Sequence, residues 1–219
     1  MATKLFKVSS ALLRRGAPVS VTRDMAQELL MQLRTLAENE VLVGVPDINA
    51  AREDDGEKKP ASNAQLAYIH DNGAPEQNIP ARPFMVPGLQ SRMAAIEGAM
   101  RNAGRLTLTL DKAPGSMSQA STRAIQSLHR VGLIAQAAIR NKINEGIPPP
   151  LSPLTIAMRH HQRGTKSMRK GEVEYFKLLG QGKTPAEAQT SSGIKALINT
   201  GQLRNSITYV IRKRGARRR

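Results

Sequence analysis

The side chains best suited to catalysis or metal binding are four histidines, and their spacing favours neither role. His160 and His161 are adjacent, so on any regular element their rings point in different directions and make a poor chelate. His70 precedes Asp71, but neighbouring residues rarely place a carboxylate behind an imidazole in the geometry of a general base. The absence of cysteine excludes disulfides, thiolate metal sites and cysteine nucleophiles. We expect the histidines to be structural or solvated, with no bound metal.

The glycine-rich and acidic segments also lack the spacing of a catalytic site. Residues 180–184 read Gly-Gln-Gly-Lys-Thr, but a phosphate-binding loop needs an earlier glycine and a preceding strand, and both are missing. No Gly-x-Ser-x-Gly nucleophile motif occurs. Carboxylates cluster only at 53–57, in a polar stretch typical of a solvated loop. The sequence therefore predicts a protein that is not an enzyme and holds no cofactor.

Positive charge is the strongest chemical feature of the chain. Its 219 residues carry a net charge of +16, and residues 151–219 alone hold 15 basic and three acidic side chains, a net +12. Such an excess favours contact with DNA or with an acidic protein surface. With three Tyr, three Phe and no Trp, the chain has too few rings for base stacking, so any DNA contact is expected at phosphates. The excess ends in a basic arm, 212–219, whose cations are Arg212, Lys213, Arg214, Arg217, Arg218 and Arg219.

Hydrophobic periodicity predicts the elements that position these side chains. Short runs of β-branched residues predict two strands, 41–46 and 203–211. Residues 163–193 are basic, rich in glycine and poorly periodic, and 106–110 fit either a strand or a continued helix. Two strands near the chain ends indicate an α+β fold, in which long helices pack on a small antiparallel sheet. Apolar residues recur at helical spacing in five segments, where we expect helices: 24–39, 64–71, 83–103, 116–144 and 152–162.

Prolines fix two of the connecting segments. Pro80 and Pro83 are expected to hold an extended approach to the helix that starts near Phe84, with Arg82 directed outward. Residues 148–150 are all proline, which forbids a helix and predicts a stiff extended segment.

A turn is predicted before the last strand. Residues 199–201 read Asn-Thr-Gly, and glycine accepts the positive φ that such a turn requires. On a strand that follows it, side chains alternate between two faces. Arg204 and Ser206 are therefore expected on the same face.

Three segments, taken in order, resemble blocks of one protein family. Together they resemble the neck proteins of long-tailed bacteriophages, the tail-completion or head–tail joining family. Its members carry an Ile-Pro-Ala-Arg-Pro-Phe motif, a Pro-Leu-Ser-Pro-x-Thr-Ile motif and a terminal Leu-Ile-Asp-Thr-Gly-x-Leu-Arg-x-Ser-Ile motif. The matching blocks here are Ala67-Tyr-Ile-His-Asp-Asn-Gly73 with Ile79-Pro-Ala-Arg-Pro-Phe-Met85, Pro149-Pro-Leu-Ser-Pro-Leu-Thr-Ile156, and Ala196-Leu-Ile-Asn-Thr-Gly-Gln-Leu-Arg-Asn-Ser-Ile-Thr-Tyr-Val210.

The resemblance implies one tail-completion-like domain spanning residues 1–219. Against the family's pattern, 47–63 and 159–193 stand out as insertions, and the basic arm lies beyond the last block. Asn199 stands where the family usually has aspartate.

The function implied by the resemblance is structural. Copies of the chain are expected to form a ring, six-fold by analogy, in the neck of the virion, completing the tail and joining it to the DNA-filled head. The implied partners are further copies of the chain, a tail terminator or tail tube protein, head connector or adaptor proteins, and genome DNA in the channel. Assembly is expected in the host cytoplasm. No membrane partner is expected, since no apolar run approaches the roughly 18 residues of a bilayer span.

Four residues of the blocks are candidates for the ring interfaces: Arg82, Phe84, Arg204 and Ser206. For Arg82 and Arg204, interface and fold roles both stay open, because arginine is favoured at charged interfaces. For Phe84, ordinary packing in the core is the competing role. The six cations of the basic arm are the candidates for contact with DNA or an acidic partner.

A second hypothesis is a sequence-neutral nucleic-acid-binding protein that acts outside any virion through its basic C-terminal third. The net charge of +12 over 151–219 supports it. The scarcity of aromatic residues and the three-block resemblance oppose it. Retention on DNA that falls steeply with salt separates the two hypotheses.

Overall fold

The structure, a computed structural model, describes residues 26–46, 61–108, 117–161 and 169–215. Within them the chain is mostly helical, with a two-stranded antiparallel sheet packed against helices, which confirms the predicted α+β class. In chain order the elements are α1 (Ala26–Glu38), β1 (Asn39–Gly44), α2 (Asn63–Asn72), a 3₁₀ turn (Pro75–Gln77), α3 (Met85–Ser91), α4 (Met93–Leu108), α5 (Met117–Glu145), α6 (Pro153–His161), α7 (Lys170–Gly180), α8 (Pro185–Ser192), α9 (Gln202–Ser206) and β2 (Thr208–Lys213).

The predicted strand at 203–211 is wrong in its first half. Gly201 has φ +82° and starts α9, so the chain makes a helical turn through Ser206 before β2 begins at Thr208. Leu203 and Ile207 lie four residues apart, a spacing that brings both into the core from a helical turn. Arg204 and Ser206 therefore do not share a strand face.

The predicted helix at 83–103 is divided into two helices. Asp71 Oδ1 accepts hydrogen bonds from the amides of Phe84 and Met85 at 2.8 and 3.0 Å, and this carboxylate starts α3. The first helix ends at Ser91, the amide of the next residue, Arg92, donates to Leu89 O, and α4 runs from Met93 to Leu108. The open choice at 106–110 is thus settled as helix up to residue 108; residues 109–110 lie outside the described part.

One core cluster joins α2, α3, the C-terminal half of α5, α9 and the residue that precedes β2. Gly88 allows the close approach of α3 to α5, because a Cβ at this position would lie 2.9 Å from Ile139 Cα. Any larger residue at 88 must push the two helices apart. We call this group the main cluster; its buried members are Ala67, Phe84, Ile139, Ile143, Ile147, Leu197, Leu203 and Ile207.

The segment 163–193, predicted to lack regular elements, contains α7 and α8. The two helices pack against each other, and Tyr175 is fully buried between them and their neighbours. Each helix is too short to show clear periodicity, and burial rather than propensity stabilises it. We call this group the hairpin cluster; its buried members are Leu151, Ile156, Tyr175, Leu178, Ala188 and Ala196.

The described residues divide into two compact units. In the first unit, Ala103, Ala124, Leu128 and Val131 are buried. The second unit contains both the main cluster and the hairpin cluster. The first unit comprises 26–42, 94–108, 117–132 and 211–215, and the second comprises 43–46, 61–93, 133–161 and 169–210.

Candidate functional site

Arg82 is buried, and the prediction that it points outward is wrong. Only 5% of the residue is exposed. Its Nε and Nη2 donate to Pro149 O at 3.1 and 3.0 Å, and Nη2 also lies 3.4 Å from Pro150 O. Burial lowers the pKa of the guanidinium group from its ordinary value. The carbonyl oxygens of Pro149 and Pro150 need hydrogen-bond donors from elsewhere in the fold, and the guanidinium group of Arg82 supplies them.

Phe84 and Ser206 also lie inside the second unit. Phe84 is fully buried in the main cluster. Ser206 is buried too, and its hydroxyl donates to Leu203 O at 2.8 Å. Of the four interface candidates, these two and Arg82 have side chains that support the fold, which leaves Arg204 as the one that reaches the surface.

Arg204 is partly exposed and lies beside Arg140 of α5. Arg204 Nη1 donates to Asn144 Oδ1 at 3.1 Å, and its Nε and Nη2 lie 3.4 and 3.3 Å from Asn205 Oδ1. Arg140 Nη2 donates to Asn205 O at 3.0 Å and to Ile207 O at 2.7 Å, and its Nε donates to Ile207 O at 3.2 Å. Both guanidinium groups are therefore held by neutral amide and carbonyl oxygens.

These two arginines line a surface hollow of about 420 Å³, which we call the arginine hollow. No acidic residue contributes to its wall in the described structure. Exposed Leu133 and Ala137 form an apolar part of the wall. The rest is built from the amide side chains Gln136, Asn141, Asn144 and Asn205. An arrangement of two cations and four amides favours an oxyanion ligand.

Sequence reasoning found Arg204 but missed Arg140. A usable signal was present, because Gln136, Arg140 and Asn144 follow one another every four residues along α5. This spacing places polar side chains in one stripe of the helix, next to the stripe that carries Ile139 and Ile143 into the core. A stripe of this kind indicates a helix face that binds polar groups.

All three blocks of the resemblance meet in the second unit. Arg82 of the first block binds the carbonyls of the second block, and α2 of the first block contacts α9 of the third. Arg159, which follows the second block, donates to the carbonyls of Lys195, Ala196 and Ile198. The blocks therefore form one connected assembly rather than three separate surface segments.

A groove of about 570 Å³ runs along the junction of the three blocks. His70 and Arg82 line it from the first block, Leu151 from the second and Gln202 from the third, together with Arg159. No carboxylate lines the groove among the described residues. Its wall is thus mixed polar and apolar, with a positive charge.

The basic arm begins later than the sequence suggests. Arg212 and Lys213 belong to β2, and Arg212 Nε lies 2.7 Å from Glu40 Oε1 on β1. Lys213 and Arg214 are exposed, and the Arg214 amide donates to Glu38 O. Arg217, Arg218 and Arg219 lie outside the described residues, as do most of the predicted insertion at 47–63 and residues 162–168.

Several large apolar side chains of the second unit are exposed. Leu154 and Met158 lie four residues apart on α6, so they share a face of that helix. Scattered exposed apolar residues are normal on a monomer, whereas a shared face offers an area for a partner. Among the large apolar side chains of this unit, the largest exposed fractions belong to Tyr68 (70%), Leu154 (65%), Val86 (59%) and Leu133 (56%).

Neither metal-binding nor membrane-spanning features occur in the part of the chain that the structure describes. Within it, no group of three or more His, Asp or Glu side chains could hold a metal ion. The side chains of His160 and His161 fall outside this description. The described helices include none with the length and apolar character that a bilayer span needs.

The arginine hollow and the groove are thus the two candidate sites, and both lie in the second unit. Their polar groups can hold an anionic or amide-bearing partner, and the described residues that line them include no nucleophile paired with a base. No protein-family model, curated protein or solved structure matches the chain.

Proposed function

We propose that the protein is a structural component of the bacteriophage neck, where its copies form a ring that completes the tail and joins it to the DNA-filled head. The proposal starts from the three sequence blocks, which resemble those of neck proteins in the same order. Its partners are further copies of the chain, a tail terminator or tail tube protein, and head connector or adaptor proteins.

The observation that carries the proposal is the convergence of the three blocks. The first and third blocks are separated by more than a hundred residues of sequence, yet Ala67, Phe84, Leu197 and Leu203 share one core cluster. A chance resemblance gives no reason for the matching segments to pack on one another. A family motif set is expected to do so, because blocks that recur together usually build one fold.

The surface of the second unit supports self-association. A closed ring requires two different patches on each copy, one of which meets the other on the neighbour. The arginine hollow and the α6 face with Leu154 and Met158 are two areas open to a partner, and each needs its own complementary patch on the neighbouring copy. Arg82, Phe84 and Ser206 are buried in the second unit and support its fold.

The charge of the chain supports a place beside DNA. Lys213 and Arg214 are exposed at the end of β2, and the net charge is +16. A channel wall through which DNA passes favours cations, and such contacts carry no sequence preference. We place the protein in the virion neck, after assembly in the host cytoplasm.

The alternative function is sequence-neutral nucleic-acid binding outside any virion. The observation that favours it is the same set of exposed cations, together with the net +12 of residues 151–219. This function needs affinity for DNA in the free protein, and retention that falls steeply with salt. The neck function requires neither DNA affinity in the free protein nor salt-dependent retention on DNA.

The test is a phage genome with a stop codon in the gene for this chain, followed by electron microscopy of the lysate. We expect filled heads and separate tails, with few complete particles. Complete, infectious virions in normal number would overturn the proposal. Normal virions together with strongly salt-dependent DNA retention by the purified protein would support the alternative.

A further inference from the structure

Among the described residues, no carboxylate pairs with the two arginines of the arginine hollow. Arg140 uses Nε and Nη2 for carbonyl oxygens, and its Nη1 makes no hydrogen bond to the rest of the described chain. The bonds of Arg204 to Asn144 and Asn205 are 3.1–3.4 Å long and go to neutral amides. Two like charges held around Asn205 repel each other, and a carboxylate placed between them would stabilise both.

The second unit also presents one carboxylate without a partner among the described residues. Glu76 lies in the 3₁₀ turn Pro75–Gln77; it is exposed and makes no ion pair or hydrogen bond within them. The other described carboxylates of this unit are engaged, either in ion pairs (Glu145, Glu174) or at helix N-termini (Asp71, Glu172, Glu187).

The turn that carries Glu76 is rigid. Ala74 and Ile79 exchange two backbone hydrogen bonds of 2.8 and 3.1 Å across its base. The amides of Gln77 and Asn78 donate within the turn at 3.0 Å each, and Pro75 fixes one further backbone angle. An exposed turn that is already ordered loses little conformational entropy when it docks.

We infer that the Glu76 turn of one copy docks in the arginine hollow of the next copy, where its carboxylate binds Arg140 and Arg204. The inference rests on the proposed ring and names one anchoring contact within it. The contact is heterologous, since the turn and the hollow are different patches of the same chain, as a cyclic ring requires.

A protein carboxylate fits the hollow better than a DNA phosphate does. DNA binding needs a row of cations that follows the backbone, whereas this hollow has two arginines surrounded by amides. Leu133, which is 56% exposed, adds an apolar wall that a proline-containing turn can cover and a phosphate cannot. Glu76 supplies the carboxylate for the two arginines, and the adjacent Pro75 supplies an apolar surface for Leu133.

The experiment measures self-association of the purified full chain by native mass spectrometry and analytical ultracentrifugation over a range of concentrations. The variants are Glu76→Arg, Arg204→Glu and the double variant with both changes. Matched controls are Glu97→Lys and Lys183→Glu, which change charge at exposed positions that belong neither to the turn nor to the residues lining the hollow. Arg140 is left intact because it also binds the carbonyls of Asn205 and Ile207.

We expect each single variant to weaken assembly by about tenfold or more, since each replaces an attraction by a repulsion. We expect the double variant to recover most of the assembly, and both controls to assemble as the wild type does. Melting temperatures close to that of the wild type will show that the variants are folded.

Four results would overturn the inference. If the wild type assembles and both single variants assemble equally well, or if the double variant is no better than the weaker single one, the docking contact is wrong while the ring stands. If Arg204→Glu assembles normally but no longer binds DNA, the hollow binds phosphate instead. A wild type that stays monomeric at all concentrations contradicts the ring as well as the docking contact.

Discussion

Arg82 donates two hydrogen bonds to one acceptor, the carbonyl oxygen of Pro149, which lies 67 positions further along the chain. Residues 148–150 are prolines without N–H groups, so this segment can accept hydrogen bonds at its carbonyls but cannot donate any from its backbone. The guanidinium group of Arg82 supplies the donors that hold it in place. The first block of the resemblance therefore positions the second.

Replacing Arg82 should destabilise the fold rather than a surface contact. We expect Arg82→Met to lower the free energy of unfolding by about 1–3 kcal/mol, because the carbonyls of Pro149 and Pro150 lose their donors. Arg204→Gln is the matched control, since Arg204 binds side-chain amides at the surface, and we expect a change within about 0.5 kcal/mol. Urea denaturation of both variants measures the difference. Equal unfolding midpoints would show that Arg82 does not anchor the proline segment.

Two glycine substitutions should have opposite effects on stability. Gly201 has φ +82°, so Gly201→Ala is strained by about 1–2 kcal/mol even though its nearest neighbouring atom leaves room for a Cβ. Gly98 lies within α4 with no atom within 4 Å of a Cβ, so Gly98→Ala should stabilise the helix by up to about 1 kcal/mol. Thermal unfolding of the two variants checks the signs. A Gly201→Ala variant as stable as the wild type would contradict the positive φ assigned to Gly201.

The stability of the N-terminal end of α8 should depend on Thr184 and on pH. Thr184 donates to Glu187 Oε2 from its hydroxyl at 2.8 Å and from its amide at 3.1 Å, which lowers the pKa of the Glu187 carboxyl. A carboxyl whose folded pKa is lowered stabilises the fold above its ordinary pKa, about 4.5. That contribution is lost as the pH falls through the folded value.

We expect Thr184→Ala to cost about 0.5–2 kcal/mol at pH 7, because the helix loses its N-cap. The difference from the wild type should shrink as the pH is lowered past the titration of Glu187. Denaturation curves at pH 7 and at pH 3 measure it, and Thr190→Ala on the same helix serves as the control. A difference that is the same at both pH values would contradict the assigned hydrogen bonds.

Among the C-terminal cations, Arg217–Arg219 should affect DNA retention, whereas Arg212 should affect folding stability. We expect replacement of Arg217, Arg218 and Arg219 by serine to reduce the salt dependence of any DNA retention by about 0.9 in log–log slope for each phosphate that is no longer neutralised. Arg212→Ser instead removes an exposed ion pair with Glu40, which we expect to change stability by at most about 1 kcal/mol. Filter binding at several salt concentrations compares the two variants. Identical slopes for the wild type and the triple variant would exclude DNA binding by these three residues.

Local signals in the sequence predict most of the elements but not the contacts between them. The helical spacing of apolar residues at 64–71 and 116–144 is readable, and the corresponding helices are present. The buried position of Arg82 is not readable, because its acceptors are distant in sequence. The turn at Gly201 is readable, whereas the helical turn after it competes with a strand pattern of the same residues.

The hairpin cluster is a second case in which contacts between elements cannot be predicted from local sequence signals. Tyr175, Leu178 and Ala188 are buried, but α7 is only 11 residues long, and α8 has no apolar side chain larger than alanine except its first proline, so neither establishes a clear period. Their stability comes from packing against residues such as Ile156 and Ala196, which a local pattern does not reveal. The polar stripe that includes Arg140 is readable, but its contacts with Asn205 and Ile207 are not, since these partners belong to a different part of the chain.

The most direct test of the neck function adds purified protein to a lysate of the phage whose gene for this chain is interrupted. The measured quantity is the number of infectious particles as a function of the protein concentration, with electron microscopy of the same samples. We expect filled heads and tails to join, and infectivity to rise from background towards the wild-type level as the protein is added. Heads and tails that stay separate at every concentration of folded protein, or a lysate that is already fully infectious without it, would contradict the account.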